Sequence, residues 1–491
     1  MRWPAISFDK LQCSSQNGFG SRSGDGHPTV VLRLADIDSD SWTVARDGLR
    51  EIGMSAANRT KYGLNLGDLL VVRVNGSPSI AGRVIPYFGP EGLVFCDHFI
   101  RFKLVETVNP RFIAYQFRHR PVRAQVERGM VSTAGQHTIS QRTLSTIQIE
   151  LPPLAVQHRI VSAIDLHCSR VDAADASLTR AKANVKRARA SVLQAAVEGR
   201  LVPTEEALAR AEGRDYEPAS VLLERILTAR KAAWDASGKR GEYKEPVAIG
   251  LEGTPDLPEG WCWSTLDGLA HVVGGITKNS KLSSGRSVPY LRVANVQRGR
   301  LDLREIKVIM ATSQQIDLLK LEPGDVLLNE GGDRDKLGRG WVWSGQLPEC
   351  IHQNHVFRAR LWLPAFDSRY LSHYTNIQGV RYFLTQGRQT TNLASISLSN
   401  VKALPVPIPP ALEIARILAE VDRRLSVLDK LDASIDANLA RCARLRQSIL
   451  KRAFEGRLVP PDDAEGDAHA EPTRRHTARQ ATPATIAGSI P

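Results

Sequence analysis

The feature that most constrains this chain is an internal repeat at a fixed spacing. The stretch from Val197 to Pro203 returns at 454–460 with one substitution, and each position lies 257 residues later. Further pairs at the same spacing are Leu151-Pro152-Pro153 with Ile408-Pro409-Pro410, Gly67-Asp68 with Gly324-Asp325, His98 with His355, Arg101 with Arg358, and Arg159-Ile160 with Arg416-Ile417. Upstream the spacing grows by two, since 32–35 matches 291–294. Self-similarity of this kind indicates a tandem duplication.

Each copy begins with a segment that mixes short β-rich runs with Gly, Asn and Ser turns. Residues 68–74 in the first copy and 325–328 in the second are such runs. This pattern predicts a compact α+β globule in each copy, at 1–150 and at 258–407.

The second part of each copy is a long helix with an apolar residue every seven positions. These residues are Ile164, Val171, Leu178, Val185 and Val192 in the first copy, and Val421, Leu428, Ile435, Cys442 and Ile449 in the second. Five heptads with one apolar position predict a coiled-coil seam.

The residues three positions after the seam bear on how the helices pair. They are mostly small in the first copy (His167, Ala174, Ala181, Ala188, Ala195) and larger in the second (Arg424, Leu431, Asn438, Leu445, Arg452). Small residues that face larger ones favour pairing of the two helices with each other. The alternative is two separate amphipathic helices, each lying on its own globule.

The ends of both helical segments, 151–203 and 408–460, carry recognisable signals. Double prolines suit the first turn, and Gly199 and Gly456 stand where a left-handed C-terminal cap belongs. About 40 residues at 1.5 Å per residue give a rod of roughly 60 Å. We expect the rods to run antiparallel in a pseudo-two-fold arrangement, so that a long two-helix coiled coil separates two similar domains.

Two further segments complete the chain. Residues 204–257 are expected to form a short amphipathic helix, from Pro218 to Trp234, followed by a polar linker. Residues 461–491 contain few large apolar side chains and are expected to form a disordered tail.

Composition narrows the class of protein and its compartment. The 65 Lys and Arg against 52 Asp and Glu leave a net charge of +13, which points first to nucleic acid. The longest apolar run is too short for a membrane span, and Asp9 and Lys10 interrupt the N-terminus before any signal-peptide stretch. The six scattered cysteines form no C-x-x-C pair, which is typical of reduced thiols in a cytoplasmic protein.

No catalytic constellation is found in the sequence. It lacks a phosphate-binding G-x-x-x-x-G-K-[ST] motif, and Gly331-Gly332 is better explained as a hairpin turn than as part of a dinucleotide site. Asp302, Glu305 and Lys307 loosely resemble a nuclease cluster but fit a solvated strand better. His352 and His355 beside Cys350 are better explained as structural residues than as metal ligands. We expect neither an enzyme nor a metal site.

Polar and basic residues cluster in the predicted loops of both globules. Arg, Asn and Gln read base edges in the major groove, whereas Lys mostly neutralises phosphate. The candidate DNA-binding residues are Arg46, Arg50, Asn58, Arg59, Lys61, Arg118, Arg120, Arg123 and Gln136 in the first domain, and Lys278, Asn279, Lys281, Arg334, Lys336, Arg339, Gln353, Asn354, Arg388, Gln389 and Asn392 in the second. A basic run on the first long helix (Arg180, Lys182, Lys186, Arg187, Arg189) fits a DNA-backbone contact or a coiled-coil flank equally well.

With these features, nearly the whole chain resembles the specificity subunit of type I restriction–modification systems. The resemblance is carried by 151–155 with 157–160, by 196–203, by their second copies, and by 257–261, which is similar to the usual entry into a second target-recognition domain. The family commonly has a Glu-Gln pair after its prolines. Here Val156-Gln157 and Glu413-Ile414 each keep half of it, and the abrupt start at Trp3 leads us to expect a trimmed first domain.

The resemblance implies a non-catalytic, DNA-reading subunit. Each recognition domain would read half of a bipartite double-stranded DNA site, while the long helices would set the spacing and dock the methylation subunits. S-adenosylmethionine, ATP and Mg would be bound by partner subunits, including a restriction subunit, and none by this chain. The alternatives are a coiled-coil scaffold that bridges protein partners without reading DNA, and a stand-alone nuclease.

Overall fold

The computed structural model describes residues 3–21, 26–45, 47–238, 240–250, 254–278, 285–332, 336–389 and 394–459. The predicted tail at 461–491 lies outside these residues. The chain forms two compact units, which we call unit 1 (Met1–Ala176 with Leu439–Pro491) and unit 2 (Ser177–Asn438). Each unit therefore combines one globule with portions of both long helices.

Unit 1 contains small sheets packed with short helices. Its strands are β1 (Ala5–Ser7), β2 (Gln12–Asn17), β3 (His27–Leu32), β4 (Ile37–Asp38), β5 (Thr43–Val44), β6 (Arg50–Met54), β7 (Leu69–Val72), β8 (Val74–Asn75), β9 (Val84–Pro86), β10 (Val94–Phe95), β11 (Phe99–Leu104), β12 (Val131–Thr133), β13 (Gln136–Thr138) and β14 (Gln148–Glu150). Its helices are α1 (Ala56–Tyr62), α2 (Pro110–Arg118), α3 (Arg120–Arg128), α4 (Gln141–Ser145) and the start of α5 (Leu154–Val197). The sheets have the strand orders β2-β11-β7-β9, β10-β3-β6, β12-β13-β8, β1-β14 and β4-β5.

Unit 2 begins within α5 and includes the rest of that helix. Its helices are α6 (Glu205–Glu212), α7 (Ala219–Ala236), α8 (Leu266–Leu269), α9 (Ser313–Leu319), α10 (Ser368–Ile377), α11 (Gly379–Gln386), α12 (Leu398–Lys402) and the first part of α13 (Ala411–Phe454). Its strands are β15 (Cys262–Thr265), β16 (Ala270–Val273), β17 (Arg286–Leu291), β18 (Val296–Gln297), β19 (Arg300–Leu301), β20 (Lys307–Ala311), β21 (Val326–Asn329), β22 (Gly331–Gly332), β23 (Gly340–Val342), β24 (Ile351–His352), β25 (Val356–Leu361), β26 (Arg388–Gln389), β27 (Ala394–Ser395) and β28 (Pro405–Ile408).

The two globules have the same topology. The sheets of unit 2 have the orders β16-β25-β21-β23, β24-β17-β20, β26-β27-β22, β15-β28 and β18-β19, which reproduce the five sheets of unit 1 strand for strand. The parallel pairing of β10 with β3 is repeated by β24 with β17. The predicted α+β class and the tandem duplication are thus confirmed.

One repeated motif, Gly-Asp, builds the same turn before the central strand of each larger sheet. Gly67 and Gly324 have φ of +87° and +96°, a conformation that favours glycine. Asp68 accepts a hydrogen bond from the Asn65 backbone N–H at 2.9 Å, and Asp325 accepts one from that of Glu322 at 2.7 Å. The repeat therefore preserves a turn that leads into β7 and β21.

A repeated arginine anchors a short helix in each unit. Arg358 donates to the carbonyls of Leu318 and Lys320 at 3.1 and 3.0 Å, at the C-terminus of α9. Arg101 does the same for the carbonyls of Lys61 and Gly63 at the end of α1. Both arginines are buried, and each donates to carbonyls at a helix end, where the helix itself supplies no donor.

Both long helices contribute to the core of each unit. In unit 1 the α5 residues Ile160 and Ile164 and the α13 residue Phe454 join the core, and Phe454 packs edge-on to Phe112 at 5.6 Å. In unit 2 the roles of the helix ends are reversed, because the end of α5 (Ala196, Val197) packs beside the start of α13.

Ion pairs between α5 and α13 set an antiparallel register. In unit 2, Lys182 pairs with Asp436 and Arg189 pairs with Asp429, so seven residues forward on α5 match seven backward on α13. In unit 1, Arg446 pairs with Asp172 at 2.8 Å and with Asp175 at 3.0 Å. The helices pair with each other within each unit, as predicted.

Burial of the seam follows the heptads, but the second contact row differs from the prediction. Among the ten seam residues, Ile164, Val185, Val421, Ile435 and Cys442 are buried and Val171, Leu178, Val192, Leu428 and Ile449 are half-buried. Three positions later on α13 the side chains of Arg424, Leu431, Asn438, Leu445 and Arg452 are exposed, so the expected packing of small against large residues there was wrong. The second row lies four positions after the seam, where Arg189, Asp432 and Arg446 make the ion pairs, because 3.6 residues per turn place positions i and i+4 on one face.

Two local predictions also need correction. The segment 204–257 contains two helices, α6 and α7, instead of one; α6 is capped by Thr204, which accepts from the Ala207 N–H at 3.2 Å, and ends at Gly213 with φ of +65°. Gly331-Gly332 is a strand rather than a hairpin turn, and it pairs with β27. A Cβ at Gly331 would lie 2.9 Å from the Ala394 carbonyl oxygen, so the close strand approach requires glycine.

Among the described residues, no helix has both the length and the apolar character needed to cross a membrane.

Candidate nucleic-acid interface

A cleft with both apolar and polar lining residues opens on the surface of unit 1 between β3, β6, β8 and β13. Its volume is about 640 Å³. Side chains that line it include Arg33, Arg50, Asn75 and Gln136, together with the turn 96–98 that joins β10 to β11. Guanidinium and amide groups are those that hydrogen-bond base edges and phosphates, so the cleft has the chemistry of a nucleic-acid contact.

Arg33 is held in place on the rim of this cleft. Its guanidinium donates to both carboxylate oxygens of Asp36, at 2.9 and 2.7 Å, and the Arg33 backbone N–H donates to the same carboxylate at 2.8 Å. Burial raises the pKa of Asp36, but the hydrogen bonds from Arg33 outweigh it and leave the pKa below its usual value. The carboxylate therefore stays ionised and orients the arginine.

The turn 96–98 is positioned by close backbone packing. Phe19 forms a parallel bridge with Cys96, and a Cβ on the preceding Gly18 would lie 1.9 Å from the Cys96 carbonyl oxygen. The Phe99 N–H closes the turn on the Cys96 carbonyl at 3.1 Å, and the Arg73 N–H donates to the His98 carbonyl at 2.7 Å. The turn thus has a fixed backbone, while the side chains of Asp97 and His98 remain half-exposed.

Within the described part of the chain, this turn is also the one group with potential metal ligands. The donor atoms of Cys96, Asp97 and His98 lie within 4.8 Å of one another, with Sγ to Nδ1 at 3.9 Å and Oδ1 to Nδ1 at 3.2 Å. Burial raises the pKa of the Cys96 thiol, which keeps the sulfur protonated in the absence of a metal.

Unit 2 repeats the turn with different side chains. Ile276 bridges Gln353, and a Cβ on Gly275 would lie 2.1 Å from the His352 carbonyl oxygen. The Val356 N–H closes the turn on Gln353 at 2.8 Å, and the Glu330 N–H donates to the His355 carbonyl at 2.9 Å. Cys96 and Asp97 are replaced by Gln353 and Asn354, which provide neither thiolate nor carboxylate.

The structure brings together only some of the candidates in unit 1. Arg50 and Gln136 line the cleft. Arg59 and Lys61 are exposed and Asn58 is half-buried on α1, while Arg120 is exposed at the start of α3. Arg46 lies outside the described residues.

Two other candidates have their guanidinium groups engaged inside unit 1. Arg118 donates to the carbonyls of Ser39 and Asp40, both at 2.7 Å, and stacks 4.4 Å from the centre of the Trp42 ring. Arg123 donates to the carbonyls of Pro78 and Ala81. Both guanidinium groups therefore hold backbone segments of unit 1 in place, and burial lowers the pKa of each.

In unit 2 the candidates whose side chains are described come from three segments of the chain. Lys278 is exposed after β16; Lys336 and Arg339 are half-buried before β23, and Arg339 donates to the Val293 carbonyl at 3.4 Å. Gln353 and Asn354 form the turn described above. Asn279, Lys281, Arg334 and Asn392 lie outside the described residues, as do the side chains of Arg388 and Gln389, whose backbone forms β26.

Sequence reasoning did not find Arg33, Asn75, Asp97 and His98 in the cleft. The available signal was the repeat itself, because His98 and His355 recur at the same spacing although their side chains are 54% and 52% exposed. Burial does not explain why such an exposed residue recurs. The recurrence of the histidine could therefore have identified the turn as a candidate site.

Two residues of the basic run on α5 flank the coiled coil, and a DNA-backbone contact by the others stays a prediction. Lys182 and Arg189 pair with acidic residues of α13, as a coiled-coil flank does. Arg180, Lys186 and Arg187 are exposed, and Arg180 and Arg187 bond to Ser177 and Asn184 on their own helix.

The half-kept Glu-Gln pair is buried inside the units. Gln157 accepts from the Asn109 N–H at 2.8 Å and donates to the Pro152 and Thr107 carbonyls at 2.9 and 3.2 Å. Glu413 accepts from the Glu205 N–H at 2.8 Å and from the Trp261 indole at 3.0 Å. Both side chains have no exposed surface, so they fasten the starts of α5 and α13 to the globules.

Comparisons with known proteins agree with this architecture. No family model matches the chain. The chain is 31% identical over 250 residues to the type I restriction enzyme StySPI specificity subunit of Salmonella potsdam, covering 50% of this chain and 52% of that protein. It is 25% identical over 408 residues to the EcoKI specificity subunit of Escherichia coli strain K12, covering 81% of this chain and 76% of that protein.

The chain thus spans about half the length of the first of these relatives. A solved chain, from work on complex assembly and conformational transition of the type I R-M system, has a TM-score of 0.62 at 18% identity and covers 93% of this chain and 98% of its own length; this likeness shows the fold. The curated relatives confirm the resemblance found in the sequence: this chain is similar to the specificity subunits of type I restriction enzymes.

Proposed function

We propose that this chain is the sequence-specific DNA-recognition subunit of a type I restriction–modification complex, and that each globule reads one half of a bipartite DNA site. The observation that carries this proposal is that two copies of one fold present different polar side chains on the same framework. Two identical surfaces would suit a palindromic target, whereas two different surfaces suit an asymmetric one.

The cleft of unit 1 supports direct contact with base edges. Gln136 is exposed at the cleft and Arg50 lines it, and both residue types make bidentate contacts with purines. The rim Arg33 adds a guanidinium group that Asp36 orients, and such a group suits phosphate.

The long helices are proposed to set the spacing between half-sites and to dock the methylation subunits. Ion pairs fix their register in each unit. Val427 and Leu431 on α13 are 57% and 48% exposed, which leaves an apolar strip on the outer face of the helix for a partner.

In this proposal the chain itself is non-catalytic. S-adenosylmethionine would be bound by the methylation subunits, and ATP and Mg would serve a restriction subunit recruited through the complex. Because the DNA that it would bind is double-stranded DNA inside the cell, we place the chain in the cytoplasm. The competing proposal, a scaffold that bridges protein partners without DNA, predicts no preference for a DNA sequence.

A methylome experiment distinguishes the two functions. The full chain is expressed with its methylation subunits in a host that lacks adenine methylation, and long-read sequencing maps modified adenines. We expect one bipartite, asymmetric motif that disappears when the chain is omitted. Methylation without a motif, or a motif that persists without the chain, would overturn the proposal.

A further inference from the structure

We infer that the turns 96–98 and 353–355 are specificity-determining elements for the two half-sites, with Asp97 reading a cytosine in one and Asn354 reading an adenine in the other. This inference rests on the proposed DNA-reading function and assigns chemistry to named residues within it.

The first step is that the backbone of the two turns is the same. In both units a glycine lies against the turn. A Cβ on Gly18 would lie 1.9 Å from the Cys96 carbonyl oxygen, and a Cβ on Gly275 would lie 2.5 Å from that of Gln353, the equivalent residue. In both, the residue after the glycine forms a parallel bridge to the first residue of the turn. The duplication has therefore kept the platform that presents the three side chains.

The second step is that only the last of the three side chains is kept. His98 and His355 are both half-exposed, and each lies beside a carboxylate, that of Asp97 at 3.2 Å or of Glu330 at 2.8 Å. A residue retained on both platforms suits a contact that both half-sites share.

The third step is the contrast between the residues that changed. Asp97 offers only hydrogen-bond acceptors, whereas Asn354 offers an acceptor and two donors. In the major groove cytosine presents only its N4 amino donor, while adenine presents an N6 donor beside an N7 acceptor. A carboxylate matches cytosine and is repelled by the adenine N7, whereas an amide matches adenine at both atoms.

A metal-binding role for the first turn is the competing explanation. Cys96, Asp97 and His98 offer three donor atoms, but two of these side chains are half-exposed and the repeated platform carries two amides instead. A metal site would explain only the first turn, whereas base reading explains both turns. The experiment includes a chelator to separate the two explanations.

The test uses isosteric exchanges in the complete complex. Asp97→Asn and Asn354→Asp are each expressed with the methylation subunits, and methylation is read on a plasmid library in which both half-sites are randomised. Matched controls are Asp9→Asn, on an exposed part of unit 1 away from the cleft, and Gln314→Glu, on an exposed position of α9 in unit 2 that lies off both long helices. Circular dichroism and urea unfolding check that each variant is folded.

We expect Asp97→Asn to change the preference at one base pair of one half-site by about 10- to 100-fold, from cytosine towards adenine, and to leave the other half-site unchanged. Asn354→Asp should produce the reverse change in the other half-site, and neither control should alter the motif. Treatment of the purified complex with EDTA, followed by methylation in Mg-free buffer, should leave the wild-type motif intact.

Three results would overturn the inference: an unchanged motif in both variants, a change in both half-sites from one variant, or loss of the wild-type motif with EDTA. If the wild-type complex showed no bipartite motif at all, the proposed function itself would fail. The two failures are therefore distinguishable.

Discussion

The buried Gln157 provides the sharpest test of how the long helix is fastened to its globule. Its side chain makes three hydrogen bonds, to the Asn109 N–H at 2.8 Å and to the Pro152 and Thr107 carbonyls at 2.9 and 3.2 Å. Asn109 in turn caps α2 by accepting from the N–H groups of residues 111 and 112. The substitution Gln157→Ala removes all three bonds while leaving the backbone of both segments in place.

The size of the effect follows from what is left unpaired. A buried donor without a partner costs about 1–3 kcal/mol, and each of the two carbonyls loses a bond with a net contribution of about 1 kcal/mol. We therefore expect the free energy of unfolding of unit 1 to fall by about 3–5 kcal/mol. For a unit of this size that lowers the melting temperature by about 6–20 °C.

Urea unfolding followed by tryptophan fluorescence, together with differential scanning calorimetry, measures this change in the full chain. The matched control is Gln447→Ala, an exposed glutamine on α13 whose one hydrogen bond, to the Arg118 carbonyl, is 3.5 Å long; we expect a change within about 0.5 kcal/mol. Equal effects of the two substitutions would refute the reasoning. Loss of methylation-subunit binding with unchanged stability would instead assign Gln157 to docking.

Three further predictions concern the second helix, the cleft and the register. Burial raises the pKa of Glu413, so the stabilisation gained by protonation in the fold is present at pH 4.5 and below and is lost as the pH rises through the folded-state pKa. Glu413→Gln should therefore cost less stability at pH 7 than at pH 5, measured by urea unfolding, and an equal or larger cost at pH 7 would contradict this. Gln136→Ala should relax base preference in one half-site only, read by the same randomised-site methylation assay, and a uniform loss of methylation across sequences would mean that Gln136 contacts the DNA backbone. The ion pairs place the heptads 182–188 and 430–436 opposite each other, and seven residues rise about 10.5 Å, so deletion of both should shorten the spacer of the motif by about three base pairs. Deletion of 182–188 alone should abolish the motif instead. An unchanged spacer after the double deletion would refute the spacing role.

Much of the architecture could be predicted because the relevant signals are local or periodic. The heptads predict α5 and α13, which span 44 residues each, and Gly199 and Gly456 have the left-handed φ of +68° and +70° expected at their ends. The repeat predicts two globules of one fold. These features need only short-range patterns or a comparison of the chain with itself.

The errors arose where tertiary contacts choose between local options. The sequence signals of α6 are complete: Thr204 and two acidic residues at its start and Gly213 at its end. The helix is nevertheless so short that its segment was interpreted as a linker. Gly331-Gly332 has turn composition, but pairing with β27 makes it a strand because only glycine tolerates the close approach there. The second contact row on α13 was misplaced because positions three and four after a seam residue lie on the same side of a helix, and only the partner helix decides between them.

The cleft was predictable only in part because its residues come from strands that are distant in sequence. Arg50 and Gln136 were found by residue type, but the same criterion also selected Arg118 and Arg123, whose guanidinium groups bind carbonyls of their own unit. A surface arginine and an arginine that holds a loop have the same appearance in a sequence. The backbone carbonyls that they bind can be recognised only when the loops are in place.

The duplication separates these roles more reliably than residue type does. Residues that recur and are buried, such as Arg101 with Arg358, hold equivalent helix ends, and this structural role accounts for their recurrence. His98 and His355 recur but are half-exposed, so burial does not account for their retention, and the proposed function attributes it to a contact that both half-sites share. Under the proposed function, residues that stand on an equivalent platform and differ, such as Asp97 and Asn354, are the positions that we expect to distinguish the two DNA half-sites.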